Sequence, residues 1–145
     1  MKRLVYSLAF IISIAAAGSP AFAQQTGRLK IEFQGPGGHS SGAYGRVSAL
    51  HAAARAVILI QQALPAGSYQ ITNLTGGNSV NSIASDGLIE LTLTAGNAAA
   101  YKELVAAVTK AAADGAAAEN AFRGVKAGDL TAGAPATVRS VVTAS

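Results

Sequence analysis

Residues 28–46, RLKIEFQGPGGHSSGAYGR, join an alternating pattern to a glycine-rich loop, and this junction decides the fold. The apolar residues Leu29, Ile31 and Phe33 alternate with polar ones, which predicts a strand with one buried and one hydrated face. Such a strand is typical of an antiparallel sheet that is covered on one side only. The loop that follows separates this strand from a helical pattern.

The glycine-rich loop does not match the common nucleotide-binding motifs. A P-loop ends in Gly-Lys-Ser/Thr, whereas Gly42 is followed by Ala43. Gly35 and Gly37 could begin a G-x-G-x-x-G motif, but Ser40 stands at its last position. From the residues alone, the loop is interpreted as a wide strand-to-helix connection that uses glycine for positive φ angles.

His39 beside Ser40 and Ser41 raises the alternative of a serine hydrolase. That chemistry needs a base in hydrogen-bond reach of the serine and a third group that orients the base, and adjacent residues rarely provide this. A metal site lacks ligands, because the chain holds two histidines and no cysteine, while catalytic zinc needs three protein ligands. We expect no metal and no cofactor, and we interpret His51 as a packed or interfacial helix residue.

Beyond the loop, hydrophobic spacing predicts further elements. Asn97 is a plausible N-cap for the second helix, and Asp114-Gly115 is expected to interrupt that helix after about Ala113. The predicted elements are a helix over 47–64, strands over 68–75 and 88–94, a helix over 97–113, and a possible last strand over 136–143.

This order of elements predicts an α+β fold of the ferredoxin-like, split βαβ type. Such a sandwich has a four-stranded antiparallel sheet with two helices on one face. The best-defined part of the domain is expected over residues 27–113.

The first residues carry the pattern of a bacterial signal peptide. Lys2 and Arg3 precede an apolar run over 4–17, and Ala21-Phe22-Ala23 offers a cleavage site. We expect a signal peptide over 1–23 and a domain over 24–145, located in the periplasm or secreted. Without Lys2 and Arg3, 11 − 2 = 9 basic residues face seven acidic ones. Because these charges are scattered, neither nucleic-acid binding nor membrane binding after cleavage is expected.

Two loops, taken in order, carry a resemblance to a known family. GGHSS at 37–41 follows a strand, and GGNSVNSI at 76–83 ends a later one. With DGLIEL at 86–91, this order resembles the dimerisation (lid) domain of zinc-dependent exopeptidases of the aminoacylase, carboxypeptidase G and tripeptidase kind, over about residues 27–133. The loop glycines of the resemblance are Gly37, Gly38, Gly76 and Gly77.

The resemblance implies roles for two side chains in contact with substrate. In such enzymes the loop histidine, matched by His39, reaches across the dimer to the partner's substrate, and the asparagine, matched by Asn81, holds its carboxylate end. An imidazole N–H and an amide can both stabilise developing oxyanion charge. The zinc ligands and the catalytic glutamate belong to a separate domain, so no catalytic residue is expected here. Ala84 replaces the family's usual proline, which is expected to loosen the loop.

Three hypotheses follow for the function. The first is an exported, non-catalytic dimerisation or binding module that forms a homodimer through a sheet edge and a helix. The second is an accessory subunit that completes the active site of a separately encoded zinc peptidase with His39 and Asn81. The third is a remnant fragment of a peptidase without independent activity.

Overall fold

A computed structural model describes residues 23–43 and 45–145. The predicted signal peptide, apart from Ala23, lies outside the described residues. None of the helices in the described part is long and apolar enough to cross a membrane. In chain order the elements are β1 (Gln25–Gln34), β2 (Gly38–His39), α1 (Ser40–Ala43), α2 (Ala49–Ala63), β3 (Tyr69–Thr75), β4 (Ser82–Ile83), β5 (Asp86–Ala95), α3 (Ala98–Phe122), β6 (Leu130–Thr131), β7 (Ala134–Pro135) and β8 (Arg139–Ala144).

Four strands form the main sheet in the order β3-β5-β1-β8, and every neighbouring pair is antiparallel. In this order the first and third main strands of the chain lie at the centre and the second and fourth lie at the edges. With α2 and α3 packed on one face, this is the predicted ferredoxin-like fold, which is confirmed. The alternating pattern of β1 places its apolar side chains under the two helices.

The core lies between the sheet and the helices. Large side chains come from the central strands, including Ile31 and Phe33 on β1 and Leu91 on β5, all at most 1% exposed. The helices contribute mostly small side chains: Ala52, Ala53 and Ala56 from α2, and Ala111, Ala112 and Ala116 from α3. Because both helices contribute alanine side chains to their contact, α2 and α3 approach each other closely.

The prediction that the second helix stops near Ala113 was wrong, since α3 continues to Phe122. Gly115 faces α2, where an added Cβ would lie 2.8 Å from Ala56 Cβ and 2.9 Å from Ala52 O. Glycine costs a helix about 1 kcal/mol relative to alanine, but here it is the residue that lets the two backbones touch. Gly115, which was interpreted from the sequence as the end of the helix, is therefore the point where α3 contacts α2.

The predicted last strand exists but is shifted, because β8 begins at Arg139. The side-chain amide of Asn120 accepts from Val138 N at 2.8 Å and donates to Val138 O at 2.9 Å. Both backbone groups of Val138 are thus occupied by α3, which moves the start of the strand past this residue.

Candidate functional site

The two glycine-containing loops, which lie 42 residues apart at His39 and Asn81, are joined by a short ladder. β2 pairs antiparallel with β4, so that Gly38 lies opposite Ile83 and His39 opposite Ser82. Ser40 N also donates to Asn81 O at 3.0 Å. This pairing, rather than the main sheet, places the two loops side by side.

Glycine is required in these loops for backbone conformation and for space. Gly37 has φ +61°, and a Cβ there would lie 2.7 Å from Ser85 Cβ. A Cβ at Gly76 would lie 2.5 Å from the carbonyl oxygen of Asp86. Gly38 and Gly77 also have positive φ, so the predicted use of glycine for such angles is confirmed at Gly37 and Gly38. The buried Ala84 accepts a hydrogen bond at 2.9 Å from the N–H of Ala49, which ties its loop to α2.

The two side chains singled out by the resemblance are brought together. Asn81 Nδ2 lies 3.0 Å from His39 Nε2, and both residues are exposed. Asn81 Oδ1 accepts from the hydroxyl of Ser79, so its amide nitrogen donates to the imidazole.

Ser41, one of the two serines for which the sequence raised the hydrolase alternative, also contacts His39. Its Oγ lies 2.7 Å from His39 Nδ1, and its backbone N–H donates to the same nitrogen at 3.3 Å. The contact spans only two residues, and no carboxylate pairs with this imidazole among the ion pairs of the described residues. The arrangement orients His39 as a hydrogen-bonding group at an exposed loop.

An open groove of about 610 Å³ lies beside the histidine–asparagine pair. Ser40 and Ser82, the chain neighbours of His39 and Asn81, line it, together with residues from the N-terminal turn of α2. The cationic residues on its lining are Arg46 and Arg123. His51 also lines the groove, with its side chain 59% exposed.

A buried carboxylate lies beneath the groove. Glu119 is 0% exposed and accepts from Ser48 N at 3.1 Å, Arg55 Nε at 3.0 Å and Arg123 Nε at 3.2 Å. His51 Nδ1 lies 3.8 Å from the same carboxylate. Glu119 thus links α3 to the N-cap of α2 and fixes two arginine side chains.

These contacts keep Glu119 ionised. Burial would raise the pKa of the carboxyl, but the hydrogen bonds from Ser48, Arg55 and Arg123 outweigh it and hold the pKa below its usual value of 4.5. The negative charge of Glu119 is therefore neutralised locally by the guanidinium groups of Arg55 and Arg123.

Sequence reasoning did not identify this network. Glu119 and Arg123 have the i, i+4 spacing of an ion pair on a helix, but the helix had been expected to end before them. His51 was expected to be a packed or interfacial residue, and it lies on α2 within 3.4 Å of Arg123 Nη2.

Among residues 23–43 and 45–145, no group of three or more His, Cys, Asp or Glu side chains is arranged to hold a metal ion. The two histidines lie at different sites, one in the loop and one on α2. The site offers hydrogen-bond donors and positive charge.

The family model of the peptidase dimerisation domain matches residues 25–120. No curated protein matches the sequence. Solved structures with a similar fold include an aminobenzoyl-glutamate utilization protein from Klebsiella pneumoniae, at 16% identity and a TM-score of 0.61, covering 88% of this chain and 31% of that chain.

Two further structures show the same likeness. A tripeptidase from Staphylococcus aureus is 17% identical with a TM-score of 0.61, covering 83% of this chain and 29% of that chain. A hydantoinase/carbamoylase family amidase from Burkholderia ambifaria is 19% identical with a TM-score of 0.64, covering 86% of this chain and 28% of that chain. The chain thus spans less than a third of the length of these three proteins, and the likeness at such identities is one of fold.

Proposed function

Because the chain belongs to the family of peptidase dimerisation domains, we propose that it is an exported, non-catalytic module that pairs with a second copy of itself. The observation that supports pairing most directly is the open edge of the sheet at β3. An unpaired strand edge presents a row of backbone donors and acceptors to another chain.

The apolar side chains of β3 are less covered than their neighbours on β5. Leu74 is 43% exposed, whereas its cross-strand partner Ile89 is 0% exposed. Ile71 is likewise half-buried opposite Leu91, which is 1% exposed. The helix layer therefore covers the centre of the sheet and leaves the β3 edge for another surface.

Helix α2 offers a further exposed apolar side chain. It packs against β3, and its Ile58 is 54% exposed. A second copy that added its β3 to the same edge would cover both the strand and the flank of α2. Burial of this apolar area, at about 25 cal/mol per Å², would favour the pair.

Light scattering after size exclusion tests the pairing. The purified protein should have the mass of a folded dimer, and Ile58→Asp should shift it to a monomer. Leu130→Asp is the matched control, because Leu130 is 68% exposed on β6, outside the β3–α2 surface. A folded wild-type monomer would contradict pairing, and an aggregate would favour the remnant hypothesis.

Export is supported by the signal-peptide pattern over 1–23. The mass of the protein recovered from a bacterial periplasmic fraction should equal that of residues 24–145. Recovery of the intact chain in the cytoplasm would contradict export.

The match to a peptidase dimerisation domain supports the non-catalytic role. The protein should release no product from N-acyl amino acids or from di- and tripeptides, with or without added zinc. Turnover that is removed by a chelator would overturn this part of the proposal.

A second function is favoured by the contact of His39 with Asn81. Two exposed groups lie 3.0 Å apart on paired loops. When a substrate bound by another chain replaces their mutual contact, both could donate to developing negative charge on it. We propose, as the alternative, that the module supplies both groups to the active site of a zinc exopeptidase carried on a separate chain.

Mixing experiments test this alternative. The protein is added to the Staphylococcus aureus tripeptidase prepared without the segment that is similar to this chain, and tripeptide hydrolysis is followed. Turnover should rise with wild type and not with His39→Ala, while Ser145→Ala should act as wild type. No gain with wild type would contradict the alternative for this enzyme class, and an equal gain with His39→Ala would remove the role of the histidine.

A further inference from the structure

Two arginines beside the groove are held in fixed positions from below. Glu119 accepts from Arg55 Nε and Arg123 Nε, and the guanidinium carbons lie 4.8 Å and 5.0 Å from the centre of the Phe122 ring. A salt link to a buried carboxylate and stacking on an aromatic ring remove most of the freedom of these side chains. Their orientation is therefore set before any ligand arrives.

The fixed arginines still have donors to offer. In the described part of the chain, Arg55 donates to protein only through Nε, and its side chain is 36% exposed. Arg123 is 23% exposed, and its Nη2 contacts only the imidazole of His51. The Nη groups of Arg55 are thus available to a carboxylate outside the protein.

Arg46 extends the same surface along the groove. It shares the groove lining with Arg123, and its guanidinium contacts the carbonyl oxygen of Gly37 at 3.5 Å. No ion pair of the described residues includes Arg46. The surface therefore holds three guanidinium groups and one carboxylate, Glu119, which leaves an excess of two positive charges.

An apolar side chain lies within the positive surface. Phe122 is 66% exposed although two guanidinium groups stack on it. Aromatic and arginine side chains together are typical of the residues that dominate binding energy at protein interfaces. We define Arg46, Arg55, Phe122 and Arg123 as the arginine surface.

We infer that the arginine surface is a docking site for an acidic segment of a different protein, one that carries several Glu or Asp residues around an apolar side chain. A second copy of this chain does not fit, because its seven acidic residues are scattered and no two lie within three positions of each other. The arginine surface lies on α2, α3 and the loop before α2, whereas the edge proposed for self-pairing is the strand β3. Its test is peptide binding, which is measured apart from the oligomeric state.

The test uses a fluorescein-labelled peptide, GEEFEELG, and the same peptide with every Glu replaced by Gln. Fluorescence anisotropy of the purified full chain should give saturable binding of the acidic peptide, with a Kd on the order of 10 µM at low salt. Binding should weaken between about 50 and 300 mM salt, because the contacts are charged and exposed. The Gln peptide should bind at least about tenfold more weakly.

Three variants locate the site. Arg46→Gln and Phe122→Ala should each weaken binding about fivefold, and neither removes a partner of Glu119. Arg28→Gln, on the hydrated face of β1, is the matched control and should change the Kd by less than about twofold.

Any of three results would overturn the inference. The first is the absence of saturable binding up to about 1 mM acidic peptide. The others are binding of the Gln peptide as tight as that of the acidic peptide, and a loss of affinity with Arg28→Gln equal to that with Arg46→Gln. Tighter binding of a twelve-nucleotide oligo(dT) with the same dependence on Arg46 would assign the surface to nucleic acid and overturn the peptide assignment.

Discussion

The contact between α2 and α3 and the paired loops around His39 both depend on glycine, but in opposite ways. In the helix contact, Gly115 provides space between two buried backbones. In the loops, glycines such as Gly37 provide backbone angles that exposed segments need for their turns. The first region is buried, and the second holds the side chains of His39 and Asn81 in solvent.

This difference separates buried packing from exposed side chains. The helix contact and the carboxylate of Glu119 hold α2 and α3 together, while His39 and Asn81 are exposed and make few packing contacts. Substitutions in the first region should therefore lower the free energy of unfolding, and substitutions in the second should leave it nearly unchanged. Glu119 lies between the two regions, because it is buried and also positions surface arginines.

The largest effect is expected for Gly115→Val. The new side chain would begin 2.8 Å from both Ala56 N and Ala56 Cβ, and backbone cannot move aside as a flexible side chain can. Overpacking against backbone should cost about 3 kcal/mol in the free energy of unfolding, the upper end of the usual range. Urea denaturation followed by circular dichroism measures it.

Gly42→Ala is the matched control for this substitution. An added Cβ at Gly42 meets no atom within 4 Å, so its free energy of unfolding should stay within about 0.5 kcal/mol of wild type. Equal losses for Gly42→Ala and Gly115→Val would show that the helix contact is not what requires glycine.

The same contrast explains which features the sequence could predict. The strands were predictable because the alternation of Leu29, Ile31 and Phe33 records a one-sided sheet directly. The end of α3 was not, because Asp114-Gly115 looks like a stop signal when the partner helix is unknown. Local spacing cannot show that a glycine faces a neighbouring backbone.

Only part of the candidate site could be predicted from the sequence. His39 and Asn81 were named from a resemblance, and their contact follows from the pairing of β2 with β4, two strands too short for a periodic signal. The network of Glu119 joins residues 48, 55 and 123, which are brought together only by the packing of α2 on α3. Tertiary structure supplies this information.

A smaller loss is expected for Glu119→Gln, about 2 kcal/mol in the free energy of unfolding. The substitution removes a buried charge that accepts three hydrogen bonds, and hydrogen bonds to charged groups contribute more than neutral ones. The loss stays moderate because Arg55 and Arg123 remain partly exposed and can be hydrated. Glu103→Gln, on the exposed side of the same helix, is the control in urea denaturation and should be near wild type.

The pH dependence of unfolding sharpens the assignment of this carboxylate. Because the pKa of Glu119 is lowered in the folded protein, its contribution to stability is present above about pH 4.5 and is lost as pH falls through the lower, folded value. The difference in unfolding free energy between wild type and Glu119→Gln should therefore shrink between pH 5 and the acid range, roughly pH 3. A difference that stays constant over this range would contradict an ionised, stabilising Glu119.

The smallest effects on stability are expected at the loop pair. His39→Ala and Asn81→Ala each remove an exposed side chain with one mutual contact of 3.0 Å, so each should change the free energy of unfolding by less than about 0.5 kcal/mol. Loss of either partner should still free the other, which nitrogen-15 NMR of the imidazole can follow through the chemical shift of Nε2. In Asn81→Ala the Nε2 resonance of His39 should move, because its contact with the Asn81 amide is lost. An unchanged Nε2 resonance, or a loss of stability comparable to that of Glu119→Gln, would show that the loops do not hold the pair as the structure describes it.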